Sequence, residues 1–252
     1  MLPSIARSPS HFSEVRRSLS LSLYDGFFAS VYAVLTGGFF LTGFALSLGA
    51  TEWEIGLLAA LPFVANWFQF VGSYLVQRMG RRAPVCVWTA TTARLLWLLV
   101  ALLPFSRRSH EDWIIWGLMV LVATSYFLGA ISAVAWLSWI ADVVPENLRG
   151  RFFGRRNMFN GIATVGTSLI GGWFLDAWGK TLSDFQWLFL VAVMAGLMSI
   201  GFLKRIPEPP LTSSPQKQAY FRALLRPLID ANFRRLLLFT MVWSFGVNLA
   251  SP

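Results

Sequence analysis

Of the 252 residues, 56% are hydrophobic and 13% are charged, about half the charged share of an average soluble domain, so this chain cannot cover a water-facing surface. The net charge of +9 comes from arginines set between apolar runs, a pattern of topology determinants, and no basic soluble module exists to bind nucleic acid. A single cysteine, Cys86, excludes an internal disulfide and a cysteine cluster, and His11 and His110 lack metal-ligand spacing, so neither metal nor other cofactor is expected.

The first twenty residues lack the apolar core of a secretory signal peptide, and 1–23 reads as a polar N-terminal segment. Six apolar runs follow, at 24–48, 53–77, 84–105, 113–142, 155–177 and 185–203. Crossing ~30 Å of hydrocarbon takes about 20 helical residues. The runs are continuous rather than alternating, which favours helix over membrane strand. Thr51 with Glu54 forms a capping-box pattern at the second run, and Pro84 stands at the start of the third. Trp53, Trp113 and Trp187 fit the aromatic belts at the two interfaces. Residues 24–205 are thus expected to form a six-helix transmembrane bundle, and the fold class is an all-α membrane protein.

A Pro- and Ser-rich linker opens the segment 206–235. Beyond it Tyr220, Phe221, Leu224, Leu225 and Leu228 share one helical face, which suits an amphipathic helix on the membrane surface; a plain connector fits as well. A seventh apolar run starts at Leu236 and extends to Pro252, and 236–252 reads as a truncated span. Basic residues set the orientation. Seventeen fall in segments on the N-terminal side, among them Arg16, Arg78, Arg81, Arg149, Arg156 and Arg205, against three (Arg107, Arg108 and Lys180) on the other. That bias puts the N-terminus in the cytoplasm of a multi-pass protein of the plasma (inner) membrane. Arg94 alone lies within a span, roughly 15 Å deep by helical rise, and needs a partner or a wet cavity there.

Two loops carry a resemblance. Between the second and third spans the chain reads SYLVQRMGRRAPV, and between the fourth and fifth PENLRGRFFGRRNMF. The first resembles the signature loop of the major facilitator superfamily, with Leu75, Arg78, Gly80, Arg81 and Arg82 matching, while Ser73 replaces its first glycine and Gln77 its aspartate. The second, with Arg149 and Gly150, is similar to the Pro…Arg-Gly-Arg loop common in that superfamily. The resemblance covers about residues 20–252. It implies the N-terminal half of a twelve-span secondary transporter plus the start of the second half, moving a small solute by alternating access at the expense of a solute gradient or a coupling proton or ion. Half a cavity wall is not expected to transport alone.

The resemblance also ranks the polar residues. Asp25, on the cavity-lining first helix, would bind a proton or a cationic substrate; the alternative is an interfacial residue capping the helix. Arg94 would contact substrate or a counter-ion, or simply pair, since the third helix is usually peripheral. Asp142 would pair with Arg81 and latch the cytoplasmic gate, or form an ordinary surface pair. Asn66, Gln69, Tyr126 and Asn160 offer hydrogen bonds to a solute or to neighbouring helices. Ala163, Thr167, Gly171 and Gly172 read as a packing stripe, and Thr167-Ser168 stands where antiporter helices show Gly-Pro. No phosphate-binding glycine loop and no acid/base cluster occurs, so the chain is not expected to be an enzyme. The rival readings are a half-size transporter working as a homodimer and a structural or pigment-binding membrane protein.

Overall fold

The computed structural model describes residues 9–106, 112–210 and 229–250. Its helices are α1 Pro9–Leu35, α2 Gly38–Ser47, α3 Glu52–Ala65, α4 Gln69–Met79, α5 Ala83–Leu102, α6 Asp112–Val143, α7 Arg149–Trp178, α8 Leu182–Leu203 and α9 Ala231–Ala250. No strand occurs among the described residues. Among the described residues six stretches are long and apolar enough to cross a membrane: Val15–Ser47, Glu52–Met79, Ala83–Phe105, Trp113–Val143, Glu146–Trp178 and Leu182–Leu203.

Local chemistry explains the boundaries. Thr51 Oγ1 accepts from the Glu54 backbone N–H while Glu54 accepts from the Thr51 N–H, the reciprocal cap that opens α3. Thr181 and Asp184 repeat the device at α8. Gly80 ends α4 with φ +64°, a left-handed conformation that glycine adopts without steric cost. Pro84 sits in the first turn of α5, where a missing N–H matters least.

Two spans are interrupted. The first divides at Thr36–Gly38, where Gly38 has φ +46° and the Thr36 hydroxyl donates back to the Tyr32 carbonyl. The second passes through a 3₁₀ turn at Asn66–Phe68. Two helices also start earlier than their apolar runs: α1 begins fifteen residues before position 24 and α7 six residues before position 155.

Residues 1–210 form one compact unit. Within it α1 packs on α7 and α8, α6 packs on α3, α4 and α5, and an α5–α8 contact joins the two groups. Small residues permit the closest approaches. A Cβ on Gly72 would lie 2.9 Å from the Ile131 backbone oxygen, and one on Gly171 would meet the Phe40 ring at 2.6 Å. Gly171 therefore packs as the small-residue stripe required. Two apolar clusters fill the unit. One gathers Phe44, Trp97, Leu118 and Phe189; the other gathers Cys86, Trp139, Ile140, Phe152 and Leu203 at the arginine-rich end.

Residues 211–252 form the second unit. In it α9 begins five residues before the apolar run expected from Leu236. The proposed amphipathic face at 220–228 lies outside the described residues, as do Arg107 and Arg108.

Candidate functional site

Between the two apolar clusters lies a layer of buried polar side chains. Its centre is Asp25 on α1, 3% exposed. Counted from Val15, where the long apolar stretch begins, Asp25 lies about 15 Å along the helix. This corrects the expectation of an interfacial residue capping a helix start: the helix began sixteen residues earlier, at Pro9. A carboxylate at such depth persists only with charge-assisted partners, and four helices supply them. Ser199 on α8 donates its hydroxyl to Asp25 Oδ1 at 2.6 Å. Trp136 on α6 donates its indole N–H to Oδ2 at 3.2 Å. Arg156 on α7 places Nη2 3.7 Å from Oδ2. Arg94 on α5 reaches the carboxylate indirectly, donating from Nη2 to the Ser199 oxygen at 3.1 Å. A serine hydroxyl has one proton to give and lone pairs to receive with, so Ser199 bridges the two charges.

The arginines are held differently. Arg94 is 8% exposed, its guanidinium 5.4 Å from the Tyr32 ring centre. A Cβ on Gly196 would come within 2.6 Å of Arg94 Cδ, so glycine is required where the arginine passes α8. The Arg156 guanidinium carbon lies 4.1 Å from the Trp136 ring centre, a cation–π contact. Asn160, one turn on, accepts from Arg156 Nη1 at 3.3 Å and donates to the Gly26 carbonyl at 3.2 Å. Gly26 makes room: a Cβ there would fall 2.9 Å from Arg156 Nε and 2.7 Å from the Asn160 amide. Nearby, the Tyr32 hydroxyl lies 3.3 Å from Ser125 Oγ, which accepts from Trp97 at 3.0 Å and donates to the Ala93 carbonyl at 3.0 Å.

Of the candidate pathway residues, the fold brings Asp25, Arg94 and Asn160 into one site. Tyr126 is half-buried beside Gly37 at the break in the first span. Asn66 and Gln69 are exposed and bond to each other at 3.0 Å, away from the charged layer. Arg156, Ser199, Trp136 and Tyr32 join the site without having been singled out. Arg156 was counted among loop arginines, yet α7 already holds it. The helical spacing carried a signal: Arg156, Asn160 and Ala163 share a face, whereas Arg155 turns outward over Phe159. A separate cavity of about 840 Å³ between α1, α7 and α8 is walled by Trp173, Phe174, Trp178 and Trp187 and holds none of these arginines.

At the arginine-rich end the signature-like loop is tied down. Arg82, 4% exposed, pairs with Asp142 at 2.6 Å. Asp142 was expected to take Arg81; instead Arg81 points outward and sits 3.7 Å from Glu208, because the helix start at Ala83 turns Arg82, not Arg81, toward α6. Glu208 also accepts from the backbone N–H groups of Arg82 and of Ala83, the latter at 3.1 Å. Trp139 donates to the Pro207 carbonyl at 3.0 Å, and Ile206 is buried. Leu75 is half-buried against the core, while Gln77 and Arg78 are exposed. Arg149 donates to the Ala141 carbonyl at 2.8 Å and lies 3.8 Å from Glu146, satisfying the end of α6; Gly150 is exposed in the first turn of α7.

The sequence family model of the Major Facilitator Superfamily matches residues 23–251. The chain belongs to the Major Facilitator Superfamily. Among superfamily proteins it is similar to a probable galactarate/D-glucarate transporter of Escherichia coli (strain K12), 24% identical over 219 residues, which cover 79% of this chain and 46% of that protein. A probable galactarate/D-glucarate transporter of Pseudomonas putida is 25% identical over 198 residues, 74% of this chain and 42% of its own. The chain thus spans about half the length of the curated relatives it matches. No solved structure matches it. Membership accounts for the six apolar spans and the two arginine-bearing loops.

Proposed function

We propose that this chain forms one six-span wall of a secondary transporter that carries a small organic anion by alternating access, with its N-terminus in the cytoplasm. The observation that supports this most is the charge layer. Among its described members, two guanidiniums face one carboxylate, so the layer carries a surplus positive charge inside the bundle. Such an arrangement is costly for structure alone and suits an anionic solute that completes the charge balance. A cationic substrate at Asp25 is disfavoured by the same count. The relatives named for galactarate and D-glucarate, both sugar dicarboxylates, fit that chemistry.

In this reading Asp25 holds Arg156 while the site is empty. An arriving carboxylate takes over the guanidinium, and Asp25 is left with Ser199 and Trp136, free to accept a coupling proton. The Arg82–Asp142 pair and the Glu208 clamp lie at the cytoplasmic gate. Uptake of labelled D-glucarate by cells producing the complete reading frame that holds these residues tests the proposal. Uptake competed by other dicarboxylates and not by a neutral polyol is expected. Uptake competed only by neutral sugars or by cations would overturn it.

A further inference from the structure

The geometry points to Arg156, rather than Arg94, as the guanidinium that grips the carboxylate of the transported solute, with Asp25 as its built-in competitor. This assignment rests on the organic-anion reading of the charge layer. Arg94 is buried and the Arg156 side chain is 13% exposed, and both keep donors unfilled: Nε and Nη1 of Arg94 and Nε of Arg156 have no hydrogen-bond partner among the described residues. What separates them is how each is held and what surrounds it.

Arg94 is locked. Its head bonds Ser199 at 3.1 Å, and it lies where α5 meets α8, in the contact that joins the two helix groups. Arg156 is poised. Its ion pair with Asp25 is 3.7 Å long and single-pronged, well beyond the 2.7–2.9 Å of a strong charge-assisted bond, and therefore cheaply exchanged. The Trp136 ring centre lies 4.1 Å from its guanidinium carbon and Asn160 takes Nη1, which leaves the Nε–Nη2 edge for a planar ligand once Asp25 is displaced. The guanidinium also reaches from α7 across to Trp136 on α6. A planar fork, backed by an aromatic face and loosely tethered, matches two-pronged carboxylate binding.

Competition gives the assignment a signature that a merely structural arginine lacks. If a solute carboxylate must displace Asp25, then neutralising Asp25 should strengthen anion binding. A unit charge about 4–7 Å from the bound anion weakens it by at least about tenfold at an effective dielectric constant of 20. The experiment is equilibrium dialysis of labelled D-glucarate against the detergent-purified product of the reading frame used in the uptake assay, with glucitol as the uncharged probe. Wild type is expected to bind D-glucarate and not glucitol, D25N to bind it at least about tenfold more tightly, and R156K to bind it at least about tenfold more weakly, since lysine loses the two-pronged geometry. Thermal unfolding confirms that each variant is folded; if R156K is not, R156Q and the Asp25→Asn result carry the decision. Unchanged binding in R156K, or weaker binding in D25N, overturns the assignment while leaving the anion reading standing. Absence of any D-glucarate binding by wild type removes the anion reading and this assignment with it.

Discussion

Replacing Glu208 by alanine isolates the tie between the segment after the last span and the signature-like loop. In the native chain its carboxylate accepts from two backbone N–H groups at the start of α5, those of Arg82 and Ala83. A side-chain cap of this kind contributes about 1 kcal/mol, and a negative charge at a helix N-terminus adds about 0.3–1 kcal/mol. The Arg81 pair adds little, because Arg81 is 70% exposed and 3.7 Å away. Glu208→Ala should therefore cost about 1.5–2 kcal/mol. For a chain of this size that lowers the unfolding temperature by roughly 3–8 °C. Glu208→Gln, which keeps an acceptor but loses the charge, should fall about midway, and Arg81→Gln should be close to neutral. Thermal unfolding of the purified protein in detergent reads all three. A loss for Arg81→Gln equal to that of Glu208→Ala, or no loss for Glu208→Ala, would show that the clamp is a surface ion pair and not a helix cap.

Asp25→Ala leaves Arg94 and Arg156 without their shared carboxylate and should destabilise the chain by about 3–5 kcal/mol, measured by the same unfolding assay. Gly72→Ala meets the Ile131 backbone at 2.9 Å, which cannot swing aside, and should cost about 1–3 kcal/mol; Gly166→Ala, with open space around it, serves as the neutral control. Cysteines placed at Arg81 and Arg151 should react with an impermeant maleimide from the same side of the membrane, and one at Lys180 from the opposite side, the buried Cys86 staying silent. Labelling of Arg81→Cys and Arg151→Cys from opposite faces would remove the topology.

How much was legible beforehand differs between fold and site, for physical reasons. Hydropathy marks the length of chain that lipid will tolerate, so all six spans could be read from their apolar runs. It does not mark where a helix starts. The polar turns ahead of position 24 and position 155 continue as α1 and α7, which is why Asp25 looked interfacial and Arg156 looked like part of a loop. The Thr51–Glu54 cap was readable because its partners are three residues apart. The Arg82–Asp142 pair and the Glu208 clamp were not, because their partners meet across 60 and 126 positions of chain. Single polar residues within apolar runs, such as Ser199, become informative only when the residue they face is known.

The stacking of a polar layer between two apolar clusters has an electrical consequence. Phe44, Trp97, Leu118 and Phe189 close one side of the layer, and Trp139, Ile140, Phe152 and Leu203 close the other. Along the axis of the described bundle, Asp25 is thus flanked on both sides by aromatic and aliphatic side chains, a medium in which a bare charge is costly. The carboxylate therefore exchanges its charge most cheaply with the side chains it already touches, Arg156 and Ser199.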